Sequence, residues 1–226
     1  MPSGKVHRKW GNRLLSFSEK EIDALIDRTH DRSRYDKNVF ENQIKYVKER
    51  FGLLGVRYYL LHHILDIMQE TLKDILSPEK IDKTISISLI KNSINLDKII
   101  KMIYEKAEGE IKKKSYLYRA IENEKLFKVI NKKKQLYELL YDLMIDKQGG
   151  RELANKYTKY RYERYCKIER EIDEKVNRMD YKELISFDYY GELKRRQKEI
   201  EKELRRKWNF ILKMINELRE NIQSIK

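Results

Sequence analysis

The chain has 226 residues, of which 40% are hydrophobic and 39% charged, with only eight glycines and two prolines. This composition is typical of long amphipathic helices, and it argues against a β-rich fold, whose many turns need more glycine and proline. The formal net charge is +14, and because residues 1–76 hold 14 basic and 11 acidic residues, residues 77–226 carry +11 of it. Such an excess attracts nucleic acid or another anionic partner, unless it belongs to a solvated helical surface rich in ion pairs.

Expectations about localisation follow from cysteine content and hydropathy. Cys166 is the single cysteine, so an internal disulfide framework is excluded, and no N-terminal run is long and apolar enough for a signal peptide. The longest apolar segment, residues 53–68, contains an arginine, two histidines and an aspartate, and it falls short of the roughly 20 apolar residues of a membrane span. We therefore expect a cytoplasmic protein without membrane insertion. The high content of lysine and glutamate is also typical of thermophilic proteins.

The first predicted helices begin at capping signals. Ser18 followed by Glu21 fits a capping box, which predicts a first helix over 19–29. Two isoleucines and a leucine give this helix an apolar face with which to pack onto the rest of the fold. Asp36 is placed to cap a second helix, which ends near Phe51 because two glycines follow within four residues.

The third predicted helix spans 54–76 and is apolar over most of its length. Ser77 before Pro78 then marks a stop and a restart, because serine satisfies a free amide at a helix start and proline is tolerated in a first turn. We place a domain boundary at this point. The predicted organisation is a helical module over 1–76, followed by a basic helical bundle or coiled-coil region over 77–226.

Five further helices are predicted beyond this boundary, at residues 79–91, 96–113, 115–147, 151–178 and 191–225. Within the first of them, residues 84–90 also alternate like a strand. The last helix carries seven apolar residues at alternating spacings of four and three: Leu204, Trp208, Ile211, Ile215, Leu218, Ile222 and Ile225. This pattern predicts a coiled-coil seam, whose partner lies either in the same chain or in a second copy that would form a homo-oligomer. The predicted fold class is all-α, with an N-terminal three-helix module followed by long antiparallel helices in coiled-coil-like packing.

All four histidines lie within the first 63 residues, at His7, His30, His62 and His63. His30 directly precedes Asp31, and Asp66 follows His62 by four residues and His63 by three. On a helix, the carboxylate can therefore share a face with either ring. The two adjacent rings point about 100° apart, so one of them can join a site with Asp66 while the other packs beside it or faces a substrate.

This clustering of imidazoles and carboxylates indicates a metal site. Imidazole nitrogens together with carboxylate oxygens suit Zn, Mn, Fe or Ni, and such an ion can lower the pKa of a bound water enough to make a nucleophile for hydrolysis. The alternative is that the histidines are satisfied polar residues of packed helices, because their spacing does not follow a strict metal motif. Unpaired polar groups are costly to bury in an apolar helix, which favours the metal interpretation.

The N-terminal segment MPSGKVH resembles the start of small archaeal and bacterial metal-binding, metal-dependent hydrolase-like proteins, which begin Met-Pro-Ser-Gly with a histidine close behind. The order of His7, His30-Asp31 and Asp66 also resembles that of HD-type phosphohydrolases. The resemblance covers residues 1–76 and implies a metal-dependent hydrolase of phosphate esters. By it, His7, His30, Asp31 and Asp66 are metal ligands, and His62 or His63 is a further ligand or a phosphate contact.

Basic residues flank these histidines in the sequence. Cations beside a metal ion would favour a phosphate-bearing substrate, although ordinary surface charges give the same pattern. The candidate phosphate contacts are Lys5, Arg8, Arg32 and Arg34.

A tyrosine-rich segment, residues 156–167, alternates basic and aromatic side chains as KYTKYRYERYCK. Interleaving of this kind favours single-stranded nucleic acid, whose bases stack on rings while its phosphates meet cations. Helical spacing instead places Tyr157 and Tyr160 on a core-facing stripe. The remaining candidates for nucleic-acid contact are Arg161, Tyr162, Arg164 and Tyr165. The alternative function is therefore a non-catalytic basic helical protein that binds nucleic acid or an acidic partner.

Overall fold

The computed structural model describes residues 2–29, 35–90, 93–130 and 132–224. Across these residues the fold is all-α, as predicted, with one short hairpin. The helices are α1 (Gly4–Leu15), α2 (Lys20–Arg28), α3 (Lys37–Ile75), α4 (Ile81–Ser88), α5 (Leu96–Lys112), α6 (Ser115–Asn123), α7 (Leu126–Ile130), α8 (Lys133–Ile145), α9 (Lys147–Val176), α10 (Tyr181–Ser186) and α11 (Tyr189–Ser224). The strands β1 (Leu89–Ile90) and β2 (Ser93–Ile94) pair antiparallel, with Leu89 opposite Ile94.

Helix α3 lies at the centre of the fold. Gly52 interrupts it with a φ of 66°, so the chain forms two helical segments joined at the predicted break after Phe51. A Cβ at position 52 would meet no atom within 4 Å, so the left-handed backbone rather than lack of space calls for glycine there. The segment before Gly52 is mostly exposed, whereas residues 55–75 are buried on nearly every face. In the described part of the chain, no helix has the length and apolar character of a membrane span.

The hydrophobic core crosses the sequence boundary placed at Ser77. Helices α1 and α2 pack against α3 on one side, and α5, α6 and α9 also contact it. One continuous cluster of apolar side chains contains Tyr59 from the first 76 residues together with Ile103 and Leu139 from the remainder. The two predicted regions therefore share a single core.

Helix α11 buries its predicted seam against α8 and α9 of the same chain. Leu204, Ile211 and Leu218 are buried along this seam, and Ile225 lies outside the described residues. The other three residues of the seam are half-buried. The coiled-coil-like packing thus has its partner within the chain. Association of two copies through this helix stays a prediction.

A buried lysine attaches α11 to the turn before α4. The side chain of Lys207 is only 2% exposed, and its ammonium donates to the carbonyl of Pro78 at 2.6 Å. It also lies 2.9 Å from Asp82 and 2.5 Å from Glu203. Burial lowers the pKa of Lys207, but these two carboxylates outweigh that effect and raise its pKa above the ordinary value.

Two N-terminal features differ from the sequence prediction. Helix α1 was not predicted, because its buried stripe of Val6, Trp10 and Leu15 is interleaved with polar residues and includes a histidine.

The capping box predicted at Ser18 is wrong. Glu19 is the N-cap of α2 instead, and its carboxylate accepts a hydrogen bond from the backbone N–H of Glu21 at 3.2 Å. The N-cap predicted at Asp36 is confirmed, since its side chain accepts from two backbone amides of α3.

The helix predicted over 115–147 is also wrong, because this stretch forms three helices, α6, α7 and α8. Lys125 adopts a φ of 53° between the first two, and no glycine or proline marks this break in the sequence. The helix predicted over 79–91 ends at Ser88 and gives way to β1, so most of the residues with strand-like alternation, 84–88, lie in helix.

Candidate metal centre

Four ionisable side chains from three helices meet in the interior. His7 comes from α1, Asp23 from α2, and His62 and Asp66 from consecutive turns of α3. The exposed fraction is 2% for His7 and 0% for Asp66, and the other two are also buried. Burying charges is costly unless they are paired or bind a metal. The convergence of these groups therefore needs a compensating interaction.

The distances within this cluster suit a metal ion. His7 Nε2 lies 3.2 Å from one oxygen of Asp66, and His62 Nε2 lies 3.4 Å from the other. One ligand atom from each of the three residues lies within 4.8 Å of the others. A tetrahedral ion with bonds of about 2.1 Å separates its ligands by roughly 3.4 Å. To hold one divalent ion, the ligand atoms would have to draw closer and one of the two imidazole rings would have to turn, because an ion cannot lie in the planes of two rings stacked 3.6 Å apart.

The two imidazole rings of the cluster are stacked face to face. The ring centroids of His7 and His62 are 3.6 Å apart, and the rings are inclined by 7°. Burial and the neighbouring His62 lower the pKa of His7. Burial also disfavours charge on His62, but Asp66 and Asp23 outweigh it and raise its pKa. Positive charge is thus favoured between the two carboxylates, and His7 stays neutral beside it.

Asp23 orients His62. Its Oδ1 lies 3.1 Å from His62 Nδ1 and accepts from the Tyr58 hydroxyl at 2.7 Å, while Oδ2 accepts from Arg8 at 2.9 Å. Burial raises the pKa of Asp23, but the contacts with His62 and Tyr58 outweigh it and the pKa is lowered. Asp23 therefore holds a proton on His62 Nδ1, so Nε2, which faces Asp66, is the nitrogen that can bind a metal once it gives up its own proton. Carboxylate support of this kind accompanies most histidines that bind metals.

Contacts with the C-terminal helices hold α1, and with it His7, in place. The indole N–H of Trp10 donates to Asp142 at 2.9 Å, and the ammonium of Lys9 donates to the same carboxylate at 2.7 Å. The hydroxyl of Ser3 donates to Asp146 at 2.6 Å. Asp142 lies on α8 and Asp146 caps α9. The position of His7 therefore depends on both halves of the sequence.

The predicted metal ligands do not all lie in the cluster. The structure brings His7, His62 and Asp66 together, whereas His63 lies on another face of α3 with its ring edge-on to Tyr59 at 4.7 Å. His63 is fully buried, so it does not face solvent. The remaining predicted residues of this segment lie outside the described residues: His30, Asp31, Arg32 and Arg34.

Of the other predicted phosphate contacts, Lys5 is exposed on α1, and Arg8 is bound to Asp23. Sequence reasoning missed Asp23 itself. The available signal was its position on α2, directly after Ile22 and three residues before Ile26, both of which are fully buried. An acidic residue beside the apolar stripe of an amphipathic helix is a candidate for a buried polar contact.

The predicted nucleic-acid contacts lie on α9. Tyr162 is 69% exposed, whereas the hydroxyl of Tyr165 donates to Glu201 at 2.5 Å. Arg164 donates to the hydroxyl of Tyr160 at 3.1 Å, and Arg161 lies 3.7 Å from Glu201. Three of the four residues therefore have partners within the chain that a nucleic acid would have to replace or extend.

Comparisons of the chain with protein-family models, with curated proteins and with solved structures find no match. Function is therefore argued from the geometry of the chain itself.

Proposed function

We propose that the chain is a metal-dependent hydrolase whose single divalent ion is bound by His7, His62 and Asp66. The observation that carries this proposal is the convergence of two imidazoles and one carboxylate, within 4.8 Å of one another, at a buried point where three helices meet. Nitrogen and oxygen donors of this mixture suit Zn, Mn, Fe or Ni. Asp23 supports the ligand role of His62 because it fixes the ring orientation from outside the ligand set.

The number of ligands favours hydrolysis. Structural zinc sites have four protein ligands, whereas catalytic zinc sites have three and leave a position for water. Water at such a position loses its proton near neutral pH and becomes a nucleophile. Three protein ligands in this cluster match the catalytic number.

A phosphate ester is the proposed substrate class, and the basic residues of α1 support it. Lys5 is exposed at the start of this helix and is free to meet a phosphate. Arg8 supports the site in another way, because it neutralises Asp23. Burial of the three ligands requires that a substrate reach the ion through movement of a covering segment.

Metal content is the first test. Inductively coupled plasma mass spectrometry of the purified chain should show close to one equivalent of Zn, Mn, Fe or Ni. An excess of chelator should remove this metal. Addition of Mn or Zn to the chelated protein should then restore hydrolysis of p-nitrophenyl phosphate or its bis ester. Protein that takes up no metal contradicts the whole proposal. Stoichiometric metal without hydrolysis of either ester contradicts the catalytic role and leaves metal binding standing.

Adjacent histidines offer a matched control. His62→Leu and His63→Leu make the same chemical change at neighbouring, fully buried positions of α3. We expect the first to lose the metal and the second to retain it, because His62 has a nitrogen 3.4 Å from Asp66 whereas the ring of His63 lies against Tyr59. Circular dichroism checks that both variants fold. Equal metal content in the two variants would remove His62 from the ligand set.

A further inference from the structure

A groove between α9 and α11 lies apart from the metal centre. Its cavity of about 310 Å³ has an apolar floor of Tyr157, Leu204 and Trp208. The rings of Tyr157 and Trp208 meet edge to face, with centroids 5.1 Å apart. Tyr157 and Leu204 are buried, whereas Trp208 is half-buried. One large aromatic ring is therefore fixed in place while part of its surface faces the groove.

The rim of this groove is basic. Arg161 rises from α9 and Arg205 from α11, on opposite walls of the cavity. Arg205 is exposed, and among the described residues no carboxylate forms an ion pair with it. Glu201 is the acidic residue of the lining, and it is engaged by Arg161 and by the hydroxyl of Tyr165. A ring-binding floor and a cation free to meet a phosphate therefore lie within one cavity.

We infer that this groove binds single-stranded nucleic acid, with one base stacked on Trp208 and the adjoining phosphate bound by Arg205. Stacking on an aromatic ring combined with cations along the backbone is how such strands are bound without sequence preference. The cavity is open to solvent, so a strand can enter it from the surface. Tyr162 lies one helical turn beyond Thr158, a residue of the groove wall, and its exposed ring extends the stacking surface in that direction.

The charge of the chain is complementary to this ligand. Residues 77–226 carry +11, and both helices of the groove belong to that region. An excess of this sign concentrates polyanions near the surface and makes their binding sensitive to salt. A single mononucleotide would gain little from charge spread over the whole region, so this complementarity favours a strand.

The test uses the full chain, in chelator so that the metal centre plays no part, and fluorescein-labelled oligo(dT) of about 12 nucleotides at about 50 mM salt. We expect an increase in fluorescence anisotropy, quenching of the tryptophan emission, and weaker binding as salt rises. Trp208 reports on the groove because the other tryptophan, Trp10, is fully buried. Absence of binding at this salt concentration overturns the inference, and so does tighter binding of thymidine monophosphate than of the strand.

Variants locate the site. Arg205→Glu should weaken binding at least about tenfold and reduce the salt slope by about 1. Lys48→Glu makes the same charge reversal at an exposed position of α3 and is the matched control. Trp208→Leu keeps an apolar side chain in the floor but removes the ring, and it should weaken binding about 5- to 150-fold. Equal losses in the two charge variants, or wild-type affinity in Trp208→Leu, would exclude the groove as the binding site.

Discussion

The cluster around His62 and the helix pair of α9 and α11 differ in the burial of their charged side chains. The cluster buries four ionisable groups and contains them within a few ångströms. The helix pair carries far more charges, most of which are exposed, and many of them form ion pairs within a helix or across its surface, such as Arg195 with Glu199. Exposed pairs contribute little to stability, whereas buried ones are costly to break. Burial therefore marks the charged residues of the cluster that require a compensating interaction, whereas most charges of the helix pair stay solvated.

The largest expected effect is that of His62→Ala in the metal-free protein. This change removes the imidazole that contacts both Asp23 and Asp66, so each of these two buried carboxylates loses its contact with His62. The free energy of unfolding should fall by about 3–5 kcal/mol, measured by urea denaturation. An unfolding midpoint equal to that of the wild type would show that the cluster does not depend on His62.

Metal addition should give the next largest effect. An ion that binds only the folded chain stabilises it by about 2.7 kcal/mol at 100 times its Kd. For a chain of this length, that corresponds to a rise in melting temperature on the order of 5–10 °C. Calorimetry of chelated protein with and without Zn or Mn measures this rise. The same rise in Asp66→Asn would place the ion elsewhere.

Lys207→Met sharpens the comparison, because Lys207 is a buried cation on the helix pair. Its two carboxylate partners, Asp82 and Glu203, are partly exposed, so water can replace the lost contact. We expect the free energy of unfolding to fall by about 1–3 kcal/mol. The rise in melting temperature on metal addition should stay as in the wild type. If metal addition no longer raised the melting temperature of this variant, metal binding would depend on Lys207, and the separation of the two sites in the fold does not explain such a dependence.

Asp146 tests a buried carboxylate outside the cluster around His62. Burial raises its pKa, but hydrogen bonds from Ser3 and from the N–H of Gly149 outweigh it, so the pKa is lowered in the folded chain. Its contribution is therefore present above the unfolded pKa of about 3.9 and is lost as the pH falls through the folded value. Asp146→Asn should cost about 1–2 kcal/mol near pH 7, measured by urea denaturation. This difference should shrink toward pH 3, and a difference independent of pH would contradict the assignment.

Arg195→Ala should have the smallest effect. Arg195 bonds to Glu192 and Glu199 on the surface of α11, where solvent screens both pairs. We expect no measurable change in melting temperature. A clear loss of stability would show that surface ion pairs of the helix pair matter more than their exposure indicates.

Much of the fold follows from sequence periodicity and punctuation. The N-cap at Asp36, the break at Gly52 and the seam of α11 were predictable because each depends on local chemistry or on a regular spacing. The breaks between α6, α7 and α8 were not, because no glycine or proline marks them, and Lys125 adopts a left-handed backbone that is uncommon for lysine.

The candidate site was predictable only in part. The spacing of His62 and Asp66 by itself places them on one face of a helix, because four residues make about one turn. Which of the two adjacent histidines joins the cluster depends on how α1 and α2 pack against α3, and that is a tertiary property. Asp23 was missed for the same reason, since its role depends on a partner 39 residues away in the sequence.

The span between His7 and Asp66 has a consequence for how the fold could be stabilised. These residues are 59 positions apart, and an ion bound to both closes the intervening chain into a loop. In the loop-closure model, a permanent cross-link of that span removes conformational entropy worth about 4 kcal/mol from the unfolded state. The single cysteine prevents an internal disulfide from serving this purpose. Metal coordination would instead cross-link the folded chain alone, and it would stabilise the fold through its binding free energy, which increases with the concentration of free ion.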